Sequence, residues 1–132
     1  MKAVVFHGPE KGLKIEDIPV PQITADQILV KVAACGVCHT DLHYIEHGVP
    51  TFKKPPIVLG HEASGIVDKV GAAVTHVKVG QRVLIPAVLT CGQCAACRQG
   101  RENICSAMKM LGNHFDGAYS EYLAVPAKDV LD

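Results

Sequence analysis

Cys91, Cys94, Cys97 and Cys105 follow the spacing C-x2-C-x2-C-x7-C within a polar, Gly-rich segment that has almost nothing apolar to bury. Such a stretch cannot order itself by hydrophobic burial and needs another source of cohesion. Adjacent C-x2-C steps let the backbone curl around one ion, and a fourth thiolate completes a tetrahedron with Zn–S distances of about 2.3 Å. Four thiolates leave no open position for water, so the role of such an ion is to fold the loop. Bacterial ferredoxins share the C-x2-C-x2-C run but place their fourth Cys after three intervening residues, before a Pro. Here seven residues intervene and Ser106 follows, which favours zinc over an iron–sulfur cluster. Disulfides rank third. Met1–Phe6 runs straight into His7, Gly8 and Pro9 with no leader-like apolar region, which predicts a reducing, cytoplasmic setting. Arg98, Arg101 and Lys109 lie close enough in sequence to offset the charge of a tetrathiolate site, although a solvated surface is the simpler reading.

Outside this lobe, 132 residues with 48% hydrophobic side chains predict one compact domain. Thirteen basic and thirteen acidic residues balance, so no net field draws the chain to nucleic acid or an anionic membrane. No apolar run approaches the ~20 residues of a membrane span. Short apolar or alternating runs at Ala3–Phe6, Leu13–Ile18, Ile28–Ala34, Gly65–Val70, Arg82–Ile85 and Ala118–Val125, each bounded by turn residues, predict strands and a mainly β fold. One short helix is expected at about Thr40 to His47, with Thr40 or Asp41 as N-cap and Gly48 as stop. Pro50, Pro55 and Pro56 make the stretch up to Ile57 an irregular loop.

A second cluster begins with Cys35-Gly36-Val37-Cys38-His39-Thr40-Asp41-Leu42-His43, at the junction of an expected strand and the expected helix, where the helix N-terminus favours a thiolate. On its own, Cys35-x2-Cys38 is also compatible with a redox dithiol. Gly60-His61-Glu62 follows, with Gly65, Gly71 and Val74 in the pattern G-H-E-x2-G-x5-G-x2-V. Gly65 and not a second His after His61-Glu62 excludes an H-E-x-x-H metalloprotease. With the four-Cys lobe behind them, these motifs resemble the zinc-dependent alcohol dehydrogenases of the medium-chain dehydrogenase family. The resemblance extends along the whole chain. It includes Leu13–Asp17 followed by Pro19 and Pro21, the Gly80–Val83 turn, and Asp116–Tyr122. Gln81 departs from the family's usual Asp.

The resemblance implies a GroES-like, partly open β-barrel with a short helix, spanning residues 1–132 and carrying a structural-zinc lobe at 91–105. It makes Cys38 and His61 ligands of a catalytic zinc, with Glu62 close enough to approach or replace a ligand. Neighbouring side chains on extended backbone point to opposite faces, so His61 and Glu62 can both ligate only across a local irregularity. Asp41 is expected to orient the site from behind. Thr40 is expected to bond the substrate hydroxyl, His43 to pass its proton to solvent, and His39 to meet the cofactor pyrophosphate. Glu62 as a plain buried, hydrogen-bonded carboxylate carries nearly equal weight, and Thr40 as a helix N-cap is compatible with its implied role only if the hydroxyl still faces the metal. Cys35 reads as a small buried thiol, and His7, His47, His76 and His114 as surface or turn histidines.

The implied activity is NAD(P)-dependent oxidation of an alcohol to an aldehyde or ketone, with a small alcohol or aldehyde as partner. A catalytic zinc of this kind needs a third protein ligand, which the family supplies later in the chain. No G-x-G pair occurs anywhere, so the dinucleotide-binding domain is expected to be absent. The chain therefore reads as a truncated N-terminal catalytic domain, inactive alone and prone to self-association through exposed apolar surface. The alternatives are a stand-alone zinc-stapled binding module and the Cys35–Cys38 dithiol. Val88, Leu89 and Tyr44 are expected near the substrate pocket.

Overall fold

A computed structural model describes residues 1–131. Strand β1 (Lys2–Phe6) pairs antiparallel with β2 (Leu13–Asp17) on one side, Val4 opposite Ile15, and with β4 (Ile57–Val58) on the other. Ala3, Val5 and Phe6 of β1 are buried, whereas Ile15 of β2 is 75% exposed, as suits an edge strand. The second sheet has the order β6-β5-β3-β9: Arg82–Ile85, Glu62–Val70, Gln27–Gly36 and Tyr122–Pro126. Its edges, β6 and β9, do not pair with each other, so the mainly β body stays open as expected.

The long strand β3 is the spine. Ile28, Leu29 and Val30 are all buried, because the first and third face one cluster while the second faces the other side of the sheet. Ile28 and Val30 pack with Val67, Val83, Leu111 and Val125. β3 meets β5 with irregular register between Leu29 and Val30 and between Val32 and Ala34, so its end bends as it delivers Cys35 and Gly36 to the site. A second cluster, Phe6, Tyr44, Ile57 and Leu59, seats helix α1 (His39–Glu46) against the first sheet.

The expected helix begins one residue earlier than the sequence suggests, and its N-cap is Cys38, not Thr40 or Asp41. Cys38 keeps extended angles, and the Asp41 carboxylate reaches back to accept from its N–H at 3.3 Å. This is the reciprocal half of a capping box, with Asp in the usual Glu position. At the other end Gly48, at φ +66°, turns the chain away. The expected strand at Gly65–Val70 starts at Glu62, and the one at Ala118–Val125 starts only at Tyr122. Residues 117–119 instead cross residues 58–60, with Gly117 N–H to Val58 O at 2.7 Å, Ala118 N–H to Gly60 O at 2.9 Å and Tyr119 N–H to Leu59 O at 3.0 Å. That crossing ties the two sheets together, because Tyr119 O also accepts from Val4 N–H at 2.7 Å.

Around the lobe run a two-stranded ribbon, β7 (Val88–Leu89) with β8 (Lys109–Met110), the short helix α2 (Ala95–Arg98) and a 3-10 turn at Glu102–Ile104. Among the described residues no helix is long and apolar enough to cross a membrane.

Candidate metal centres

The four lobe sulfurs converge. A tetrahedron with Zn–S distances of about 2.3 Å has edges of about 3.8 Å. Cys94 and Cys97 Sγ lie 3.5 Å apart, Cys91 and Cys105 Sγ 3.5 Å, and Cys91 and Cys97 Sγ 4.0 Å. All four lie within 4.8 Å of one another, so the donor set fits one thiophilic ion. The local backbone supports thiolates: Cys94 N–H donates to Cys91 Sγ at 3.3 Å and Cys91 N–H to Cys105 Sγ at 3.4 Å. Backbone N–H groups of Cys97 and Ser106 pull the Cys94 thiol down to about 6, and those of Gln93 and Cys94 lower Cys91. Cys97 is pushed up to about 12, first by burial and then by the neighbouring sulfurs. Without an ion, four thiols this close cannot all ionise; a divalent cation removes the conflict. Arg98, Arg101 and Lys109 are all exposed, in keeping with a solvated surface. The cation that does tie down the lobe's entry is Lys128, whose Nζ donates to Thr90 O at 2.6 Å.

The second centre forms where the end of β3, the start of α1 and the start of β5 meet. Cys38 Sγ, a His61 ring nitrogen and a Glu62 carboxylate oxygen lie within 4.8 Å of one another, a mixed sulfur, nitrogen and oxygen set that fits zinc. The irregularity that the adjacent pair requires is present. Gly60 takes φ +92°, and His61 stays outside β5, which begins at Glu62. Glu62 sits opposite Gly36 in the β3–β5 register, and any side chain at Gly36 would strike its carboxylate. The missing Cβ therefore opens the path by which Glu62 folds across β3 toward Cys38.

Asp41 lies behind the ligands and is only 1% exposed. Its Oδ1 is 3.6 Å from His61 Nδ1, a few tenths of an ångström too long for a hydrogen bond. His61 Nδ1 is otherwise a buried nitrogen without a hydrogen-bond partner. Asp41 accepts from Cys38 N–H and Gly60 N–H at 3.3 Å each and from Tyr119 Oη at 2.9 Å. Burial, followed by that carboxylate, pushes the Tyr119 hydroxyl far above its ordinary range, so it stays protonated and donates. Tyr119 and Gly36 both stand in the motifs quoted above, yet motif reading assigns neither of them a role in this centre.

Thr40 is half-buried on the first turn of α1, while His39 and His43 are exposed. Cys35 lies outside the metal cluster and its thiol is raised by burial, which fits the inert small thiol and not a reactive dithiol partner. Three of the four other histidines have structural partners: His7 contacts Glu16 at 2.7 Å, His76 meets Ala127 O at 3.0 Å, and His114 accepts from Met110 N–H at 3.1 Å. Tyr44 is a core residue, its hydroxyl accepting from Asn113 Nδ2 at 2.7 Å. Leu89 lines a cleft of about 750 Å³ between the sheet and the lobe, with Thr90, Phe115, Ala127 and Lys128; none of Cys38, His61 and Glu62 borders it.

A family model described as the alcohol dehydrogenase GroES-like domain matches residues 24–132. An alcohol dehydrogenase of Geobacillus stearothermophilus is 41% identical over 132 residues, 99% of this chain and 39% of its own length. A sorbitol dehydrogenase of Bacillus subtilis is 42% identical over 126 residues, 93% of this chain and 35% of its own. The structure of a cobalt- and zinc-bound thermostable alcohol dehydrogenase from Pyrobaculum aerophilum superposes with a TM-score of 0.91 at 30% identity, covering 99% of this chain and 40% of that one. The chain thus spans about two fifths of the length of the relatives it matches.

Proposed function

The chain belongs to the alcohol dehydrogenase GroES-like domain family, and from that premise we propose that its residues are the metal-bearing catalytic domain of a zinc-dependent alcohol dehydrogenase. The reaction is the NAD(P)-dependent oxidation of a small alcohol to an aldehyde or ketone. One observation carries this reading: Cys38, His61 and Glu62 converge at the mouth of α1 with the buried Asp41 carboxylate behind them. A zinc ion bound there supplies Lewis acidity, which lowers the pKa of a hydroxyl it holds.

The chain's own residues position and deprotonate the substrate. The Thr40 hydroxyl holds the substrate hydroxyl by a hydrogen bond. It is free for that work because Cys38 is the helix cap. His43, three residues on and exposed, passes the released proton to water. His39 sits at the first helical position, where the positive end of the helix dipole favours the anionic cofactor pyrophosphate. Asp41 Oδ1, 3.6 Å from His61 Nδ1, orients the His61 ring by closing that gap to a hydrogen bond when the metal site is loaded. The lobe ion folds residues 91–105 and takes no part in the reaction.

These residues contain no G-x-G, so the dinucleotide fold lies outside them and this stretch does not turn over alone. Ile66 and Leu84 stand exposed on neighbouring strands β5 and β6, and the chain self-associates through such surface. A single monomeric peak in sizing at high concentration contradicts that association.

The function is tested by zinc analysis of Cys38→Ser. The variant should lose the second zinc while keeping the lobe zinc. Equal zinc content in variant and parent removes the basis for the reading.

A further inference from the structure

His39, His43 and His47 recur every four residues along the exposed side of α1, and the proposed reaction uses only the first two. Neighbouring rings already stand edge to face, His39 and His43 with centroids 4.9 Å apart, His43 and His47 5.5 Å apart. His47 follows the last helical residue, yet its N–H still donates to His43 O at 3.2 Å, so the helical register continues through it. Two imidazoles sharing one ion at metal–nitrogen distances of about 2.0–2.1 Å place their ring centres roughly 4.5–5.2 Å apart. The observed spacings lie within, or a few tenths of an ångström beyond, that range.

We propose that His43 and His47 form a surface chelate for a divalent transition metal, separate from both cysteine-bearing centres. Three observations favour this pair over His39 with His43. His43 and His47 lie at the C-terminal end of α1, where the helix dipole attracts a cation, whereas His39 lies at the end that repels one. The exposed Glu46, three residues after His43, adds a negative charge on a neighbouring helical position. His39 adjoins Cys38, whose sulfur belongs to the second candidate metal centre. Both rings are exposed, so χ rotation that turns a nitrogen of each toward one ion meets little resistance, and water fills the remaining positions. Imidazole donors suit Ni²⁺, Cu²⁺ and Zn²⁺, and Ni²⁺ binds a given nitrogen site more tightly than Co²⁺ or Fe²⁺. The inference rests on the helix alone and not on the function proposed above.

The test is calorimetric titration of Ni²⁺ into the zinc-saturated chain, with released zinc followed by a chromophoric chelator. One Ni²⁺ per chain should bind without zinc release. His47→Gln should weaken binding more than about tenfold, since loss of even an outer-shell partner costs metal sites 10–100-fold, and His39→Gln should leave it unchanged. Paramagnetic broadening should reach the ring protons of His43 and His47 before those of His39 or His76. No saturable Ni²⁺ binding, unchanged affinity in His47→Gln, or an equal loss in His39→Gln each overturns the proposal.

Discussion

Tyr119 Oη donates to Asp41 Oδ2 at 2.9 Å across 78 residues of sequence, and this bond links the segment that ties the two sheets together to the carboxylate behind His61. The tyrosine ring lies against Gly60, where an added Cβ would stand 2.7 Å from Cδ1, so ring, glycine and metal ligand interlock. Asp41 is a buried carboxylate held by three donors, two of them the backbone N–H groups of Cys38 and of Gly60, the residue before His61. Tyr119→Phe removes one donor and leaves that oxygen under-satisfied in a dry site. Loss of about 1–3 kcal/mol in stability is expected. Zinc affinity at the Cys38 centre should fall about 10–100-fold, as for other partners that orient a ligand, while lobe zinc is retained. Competition with a calibrated chelator, resolving the two zincs, measures both.

Gly36 makes a similar contribution through its lack of a side chain. It takes no left-handed backbone angle, so Gly36→Ala is not a conformational problem. The added methyl collides with the Glu62 carboxylate and turns it away from Cys38. The expected result is a second centre reduced to two protein ligands, seen as early loss of one zinc on dialysis with little change in unfolding midpoint. If both zincs resist dialysis as in the parent, Glu62 is not holding the ion.

The lobe was legible because its ligands lie close together in sequence, where spacing alone implies a tetrahedron. Cys38 and His61 were legible only through motif resemblance, since β5 must first pair with β3 to bring Glu62 opposite Gly36. Tyr119 stands inside the Asp116–Tyr122 motif, but the motif gave it no role at the site. Its place in an apolar, aromatic run reads as strand, and its bond to Asp41 depends on the irregular crossing of residues 117–119 over 58–60. The helix start was displaced because Cys is not among the preferred caps, and the Asp41 carboxylate does the capping from within the first turn. The ribbon strands β7 and β8 are two residues each, too short to leave any alternation.

NADH offers a check on where the cofactor binds. The function proposed above gives its pyrophosphate His39 and the N-terminal end of α1 on this chain, and an eight-residue helix offers too little contact for a dinucleotide. Calorimetric titration of NADH into the zinc-loaded chain should give no saturable heat. A stoichiometric isotherm places a nucleotide site within these residues and overturns the division proposed above.

Zinc removal and pH act together on the lobe. Among residues 91–105 only Cys97 and Cys105 are buried, so chelation should expose amides there to rapid hydrogen exchange while β3, β5 and β9 stay protected. Cys94 is held down to about 6 from 9.0, so it stabilises the metal-free fold above pH 9 and loses that contribution as pH falls through about 6. Cys97, pushed up to about 12, keeps its proton across that whole window and must release it to ligate. Zinc uptake therefore expels protons, and affinity should weaken steadily as pH drops from 8 to 5. Calorimetry in buffers of differing ionisation enthalpy measures the proton release. Cys97→Ser should abolish lobe zinc and reproduce the chelated exchange pattern without lowering occupancy of the Cys38 centre, because the lobe and that centre share no ligand.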